Sequence, residues 1–410
     1  MSFNTEGCPR RVLLISEAML GGVREHILQL AFGLERRGWE VCLTVALGRA
    51  DGGFRAAVPN LETNGIPVYP LPMQRNPLAP GNALSVFLVA RLLRAWRPDM
   101  LHAHCAIAGA IGRTAAWLVG TKAVVYSPHG GSLHQVYGPL GRIYGAIEWL
   151  LAPRTSGIIL LSEWLRSRCA EVIRCSPEKM VVVPIGIDAE NLPPVEMEQR
   201  QEARSLLGNA AHDKVFLSVG VLRKIKGQDL LVRAFLHVWR RDPQSRLLVV
   251  GEGEMRSDLE QLARRLGIAS AIRFTGFVGD VSPYLRAADV YVQPSRSDAS
   301  SYSILEAMAC SLPVVATRVA ALPEIVQDGI TGLLVAREDE VGMAAAMSRL
   351  ADCPERRRAM GIAGRRRVVE CFRVEEMVRR TEEVYLRCLG DGARSQETAA
   401  VARRASEIRP

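Results

Sequence analysis

Apolar positions along this chain follow two alternating rhythms: short solid runs of aliphatic residues, and longer stretches in which they recur every three to four positions. The solid runs predict strands buried on both faces, and the second rhythm predicts amphipathic helices that cover them. Residues 11–46 show the plan first, as the run VLLIS, a loop with Gly21 and Gly22, the helical pattern HILQLAFGLERRG and the run EVCLTVA. Residues 214–250 repeat it as VFLSVG, LRKIKG, QDLLVRAFLHVWRRD and SRLLVVG. Each is a βαβ opening, so two doubly wound parallel sheets are expected.

The first half continues with strands at residues 99–103 and in KAVVYS, GIILLS and MVVVPIG, and with helices over 83–96, 108–119 and 144–151. In the second half IRFTG, DVYVQ and PVVAT read as buried strands, followed by a helix over 374–389. A chain of 410 residues is expected to divide into two α/β domains, here over 10–190 and 191–373. Residues 188–201, rich in proline and acid, are the expected linker. The polar, aperiodic residues 391–410 are expected to be a disordered tail.

Composition narrows the function. With 48% hydrophobic and 23% charged residues the balance is that of a soluble globular protein. Nine scattered cysteines without a C-x-x-C pair suggest neither a disulfide framework nor a zinc site. The net charge of +9 comes almost wholly from arginines spread along the chain, which argues against nucleic acid and suits an anionic nucleotide or an anionic membrane surface. No run approaches the ~18 apolar residues of a bilayer span, and MSFNTEGCPRR lacks the apolar core of a signal peptide, so a cytoplasmic setting is expected.

Open α/β sheets bind ligands beyond the carboxyl ends of their strands. Gly21 and Gly22 follow VLLIS, His129 follows VVYSP, Lys226 follows VFLSVG and Asp298 follows VYVQPS. A glycine pair opening a helix lets backbone approach a phosphate, although it also serves an ordinary turn. Ser300, Ser301 and Ser303 keep side chains short where backbone amides at a helix start would face an anion. Glu306, eight positions after Asp298, can accept two hydrogen bonds from adjacent ribose hydroxyls. Lys226 is one of five lysines in an arginine-rich chain, placed where an ammonium would neutralise a diphosphate. His102 and His104 have metal-like spacing, but no third ligand is signalled nearby, so hydrogen-bonding roles are expected and no metal site. In residues 83–97, Arg91, Arg94 and Arg97 recur beside Phe, Leu and Trp, a pattern of interfacial helices and equally of a helix packed on a sheet.

Residues 294–335, PSRSDASSYSILEAMACSLPVVATRVAALPEIVQDGITGLLV, resemble the Glu-x7-Glu signature and following helix–strand segment of glycosyltransferase family four. The segments EAMAC, PVVAT, PEIV and DGITGLLV all stand as in that family, while Asp298 replaces the first Glu and Ala299-Ser300-Ser301 replaces Gly-Phe-Gly. The resemblance implies the GT-B fold: two facing Rossmann-like domains with a cleft between them, the N-terminal one on the acceptor side and the C-terminal one holding the donor. It also implies a final helix, 374–390, that crosses back to the first domain. The implied activity is retaining, metal-independent transfer of a hexose from a nucleotide sugar, most simply a UDP- or GDP-sugar, to a hydroxyl of a glycan or lipid-linked acceptor, with no cofactor.

By the same resemblance Gly21 and Gly22 would contact the donor phosphate or the acceptor, and His129 with Asp298 would hold the sugar. Lys226 and the amides of Ala299, Ser300, Ser301, Tyr302 and Ser303 would hold the diphosphate. Phe277 and Val278 would flank the base. Gly220-Val221-Leu222 lacks the family's arginine at 221, and Arg223 is expected to supply that charge. Bacterial cell-surface polysaccharide or lipopolysaccharide synthesis, at the inner face of the membrane, is the expected setting. A catalytically silent homologue acting as a binding or assembly partner is the alternative, and nucleotide binding separates the two.

Overall fold

The structure, a computed structural model, describes residues 9–130, 139–173 and 175–390. The expected tail, 391–410, lies outside the described residues. The chain divides into two compact units, one of residues 1–184 with 374–410 and one of residues 185–373.

The first unit carries strands β1 (Arg11–Ser16), β2 (Glu40–Val45), β3 (Val68–Pro70), β4 (Met100–His104), β5 (Ala123–Ser127), β6 (Gly157–Leu160) and β7 (Met180–Val182). They form one sheet in the order β3-β2-β1-β4-β5-β6-β7, parallel at every pairing. The second unit has β8 (Lys214–Val219), β9 (Ser245–Val250), β10 (Ile272–Gly276), β11 (Val290–Gln293), β12 (Val314–Thr317) and β13 (Gly332–Val335). Their order is β10-β9-β8-β11-β12-β13, again all parallel. Central strands such as β4 and β5 are buried along their whole length, as helix-covered parallel sheets require. In each sheet the order reverses next to the first strand, between β1 and β4 and between β8 and β11. The loops leaving those strands diverge to opposite faces and leave a crevice at the carboxyl edge.

The helix Val374–Cys388 belongs to the first unit, where Val374, Met377, Val378, Val384 and Tyr385 join its core. It lies so close to the helix Gly21–Arg36 that a Cβ on Gly33 would stand 2.4 Å from Val378 Cγ2. The passage between units falls at Pro184–Ile185, ahead of the proline-rich segment expected as linker. That segment lies inside the second unit and runs into the helix Met197–Leu206. Arg204 on this helix forms a buried ion pair of 2.5 Å with Asp289 and donates to the carbonyls of Ala211 and Ala287, which ties the segment to the sheet. Strand β3 was not foreseen, because three residues ending in a proline carry no periodicity.

Candidate active site

In the second unit the loops after β8 and β11 meet across the reversal point. Gly227 occupies the left-handed region at φ 70° and starts the helix Gln228–Arg241. A Cβ there would stand 2.1 Å from the carbonyl oxygen of Pro294, so glycine alone lets the two loops close on each other. That closure brings Lys226 Nζ to 2.7 Å from Asp298 Oδ2. Asp298 is buried, and the same oxygen accepts from Gln293 Nε2 at 3.2 Å and Ser295 Oγ at 3.3 Å.

Arg296, between these two loops, holds the arrangement. Its guanidinium pairs with both carboxylate oxygens of Asp229, at 2.7 and 2.9 Å, with Glu338 at 2.5 Å, and donates to the carbonyl of Lys224 at 2.6 Å. Its own backbone N–H donates to the carbonyl of Ile225 at 2.8 Å. The turn carrying Lys226 is thus clamped from behind. Burial alone would raise the pKa of Asp229, but the hydrogen bonds and charges of Arg296 and Arg233 outweigh it and hold the carboxyl below its usual range.

Ser301 caps the helix Tyr302–Ala309, its hydroxyl accepting from the Ile304 N–H and lying 3.2 Å from Ser303 Oγ. Glu306, half-buried, sits one turn into this helix. The N-terminus of this helix follows Asp298 by four positions and carries the positive end of the helix dipole. Arg223 is exposed at the residue preceding the turn Lys224–Lys226, and Val221 is exposed as well. Phe277, 61% exposed, and the half-buried Val278 follow β10. Gly251 and Gly253, after β9, back directly on Gly220 and Leu222, where any Cβ would meet a carbonyl oxygen at 2.0 and 2.3 Å. Lys226, Arg223, Phe277, Val278, Asp298, Ala299, Ser300 and Ser301 thus follow strands β8, β10 and β11 of the second sheet, with Tyr302, Ser303 and Glu306 on the helix after them, whereas Gly21 and Gly22 lie in the first unit.

In the first unit Gly21 opens the helix Gly21–Arg36 at φ 51° and donates its N–H to Asp51 Oδ2 at 3.0 Å. Asp51 also pairs with Arg24 at 2.7 Å and caps the helix Gly52–Thr63, so the exposed Gly21-Gly22 turn is held from one side. Glu17, just after β1, is buried and accepts from the N–H groups of Ala108 at 3.0 Å and Ile107 at 3.4 Å. Burial raises its pKa despite those bonds.

Histidines gather at the same edge. His129, beyond β5, adopts φ 51°, an uncommon conformation for a non-glycine residue, and its Nε2 lies 3.0 Å from Nδ1 of His104 at the end of β4. His26 packs against both rings, with centroids 5.7 Å from His104 and 5.0 Å from His129. His102 has the hydrogen-bonding role expected of it, with Tyr385 at 2.6 Å and Ser127 at 2.8 Å. Burial lowers the pKa of all four rings, that of His26 to about 4, so they are neutral at neutral pH. Residues 131–138, which follow Gly130, lie outside the described residues.

Arg296, Asp229, Gln293, Glu17 and His26 were not singled out from the sequence. Only Arg296 carried a signal, as an arginine two residues before the key acid.

Two Rossmann-like units with this strand order, and a lysine, an acid and a helix N-terminus at the reversal point of the second, define the GT-B class of glycosyltransferases. Residues 21–186 match the family described as glycosyl transferase 4-like domain, and residues 213–353 match glycosyl transferases group 1. A D-inositol 3-phosphate glycosyltransferase from Actinosynnema mirum is 31% identical over 363 residues, covering 83% of this chain and 86% of the relative. The chain belongs to the group 1, family-four glycosyltransferases. Anabaena Alr3699/HepE, solved in complex with UDP and glucose, shares its fold with a TM-score of 0.78 at 22% identity, over 91% of this chain and 98% of that one. WaaG, a glycosyltransferase involved in lipopolysaccharide biosynthesis, does so with a TM-score of 0.71 at 19% identity, over 91% and 99%. Among the described residues no helix is long and apolar enough to cross a membrane.

Proposed function

We propose that this glycosyltransferase moves a hexose from a UDP- or GDP-sugar to a hydroxyl of a glycan or lipid-linked acceptor, with retention at the anomeric carbon and without a metal ion in the reaction. The observation that carries this reading is the Lys226–Asp298 pair beside the N-terminus of the Glu306-bearing helix. A nucleoside diphosphate needs a cation for its charge, amides for its oxygens and a carboxylate for its ribose, and these three lie on two adjoining loops and the helix that follows the second. That Alr3699/HepE was solved with UDP and glucose supports a uridine donor.

In the proposed mechanism the sugar–phosphate bond breaks on the same face that the acceptor hydroxyl approaches, and the leaving diphosphate oxygen takes the acceptor proton. The protein's contribution is electrostatic and positional. Lys226, Arg223, the Gly21-Gly22 turn and the amides of residues 299–303 stabilise the departing charge. Glu306 holds the ribose, Asp298 and His129 the sugar, and Phe277 with Val278 the base.

The helix Pro80–Trp96 exposes Leu84 and Phe87 in line with the exposed Arg91 and Arg94, whereas Arg97 lies past its end. Apolar groups followed by guanidinium groups suit an anionic bilayer surface, which supports a peripheral position at the inner membrane face and a role in cell-surface polysaccharide or lipopolysaccharide synthesis.

Calorimetric titration with UDP, GDP, ADP and TDP tests the donor site. Selective binding of one nucleotide, weakened about ten- to a hundredfold in Glu306→Ala, is the expected result. Absence of binding by all four would favour the silent-homologue reading instead.

A further inference from the structure

We infer that His26, His104 and His129 form a binding site for one divalent transition metal ion of the zinc or cobalt type. One ligand nitrogen from each ring lies within 4.8 Å of the others. Nδ1 of His104 and Nε2 of His129 are already 3.0 Å apart, close to the roughly 3.3 Å between nitrogens that share a tetrahedral ion at about 2.0 Å. His26 must close the remaining gap by ring rotation.

A second observation points the same way. His26 is 1% exposed and neither of its ring nitrogens has a hydrogen-bond partner. Leaving such a ring buried and unsatisfied is costly, and a metal ion accepts the lone pair of one His26 nitrogen together with those of His104 Nδ1 and His129 Nε2. Imidazole donors select zinc, cobalt, nickel or copper over magnesium or calcium, which prefer oxygen. His102, stacked on His104 at 3.9 Å, stays outside the set, because Tyr385 and Ser127 occupy both its nitrogens. His129 is the partly exposed member of the three.

An ion held there withdraws His129 from the sugar and inhibits transfer. That consequence rests on the proposed function; the binding itself does not.

The full chain, freed of metal with a chelator, is titrated with Co2+ and then Zn2+ by equilibrium dialysis and visible absorption. One equivalent of Co2+ with tetrahedral ligand-field bands, displaced by Zn2+, is expected. Affinity should fall at least a hundredfold in folded His26→Ala and remain unchanged in His237→Ala, whose ring is exposed and paired with Glu340. Where His26→Ala fails to fold, X-ray absorption of the cobalt-loaded wild type counts the ligands, and three imidazoles are expected. No stoichiometric binding, binding that survives in folded His26→Ala, or fewer than three imidazoles overturns the site. Zinc binding that leaves transfer unaffected keeps the site and overturns the role given to His129.

Discussion

Lys226 Nζ and Asp298 Oδ2 lie 2.7 Å apart, the ammonium presented by the loop after β8 and the carboxylate by the loop after β11. Their pairing spans the one place in that sheet where neighbouring loops run to opposite faces. A diphosphate entering this edge competes with Asp298 for the ammonium.

Asp298→Asn removes the competing charge and leaves Lys226 free for phosphate. UDP affinity is expected to rise several-fold while transfer falls by about a hundredfold, since the sugar loses its carboxylate. Calorimetry and initial rates on the same preparation read both, and a fall in UDP affinity would contradict the pairing.

Arg296 acts on the site without reaching it. Arg296→Ala releases the turn Lys224–Lys226 and is expected to weaken UDP binding about tenfold. In a double-mutant cycle with Asp229→Ala, urea unfolding should show a coupling of about 1–3 kcal/mol, because one bidentate pair is lost in either single variant. Additive effects would mean the clamp carries no energy.

Gly227→Ala places a methyl against the Pro294 carbonyl at a positive φ. The backbone strain alone is about 1–2 kcal/mol, and the collision adds to it, so the urea midpoint should drop clearly and Lys226 should lose its place. Gly279→Ala, with open space around its Cβ, is the control expected to change little.

Acid should destabilise the metal-free first unit through its histidines. His26 titrates near pH 4 in the folded chain and near 6.5 when unfolded, so between those values the unfolded state binds the extra proton. Stability therefore falls as pH drops from about 6.5 to about 4, by on the order of 3 kcal/mol for this ring alone, and then levels. His26→Leu should flatten that part of the profile in pH-dependent denaturant unfolding. An unchanged slope would show that the ring is charged in the folded state.

Most of the fold was legible because parallel strands buried on both faces must be nearly continuous aliphatic runs, and VLLIS, VFLSVG and DVYVQ are such runs. The residues proposed for the donor side stand out in the sequence because their order around Lys226, Asp298 and Glu306 resembles that of the family. Arg296 stands two residues before the key acid, but in a chain full of arginines that position does not show that it bridges Asp229 and Glu338. His26 looked like an ordinary helical position, and the third partner that His104 appeared to lack arrives from elsewhere along the chain.

The sequence by itself determined what each segment becomes: alternating buried strands and amphipathic helices, glycines where loops must turn, and acids and a lysine just past strand ends. Those outcomes depend on local periodicity and backbone preference, which travel with the residues. Tertiary structure alone decided which of these ends meet. Strand order places β1 beside β4 and β8 beside β11, and that order follows from how helices pack on each sheet. Only then does Lys226 find Asp298, and only then do His26, His104 and His129 share one buried space.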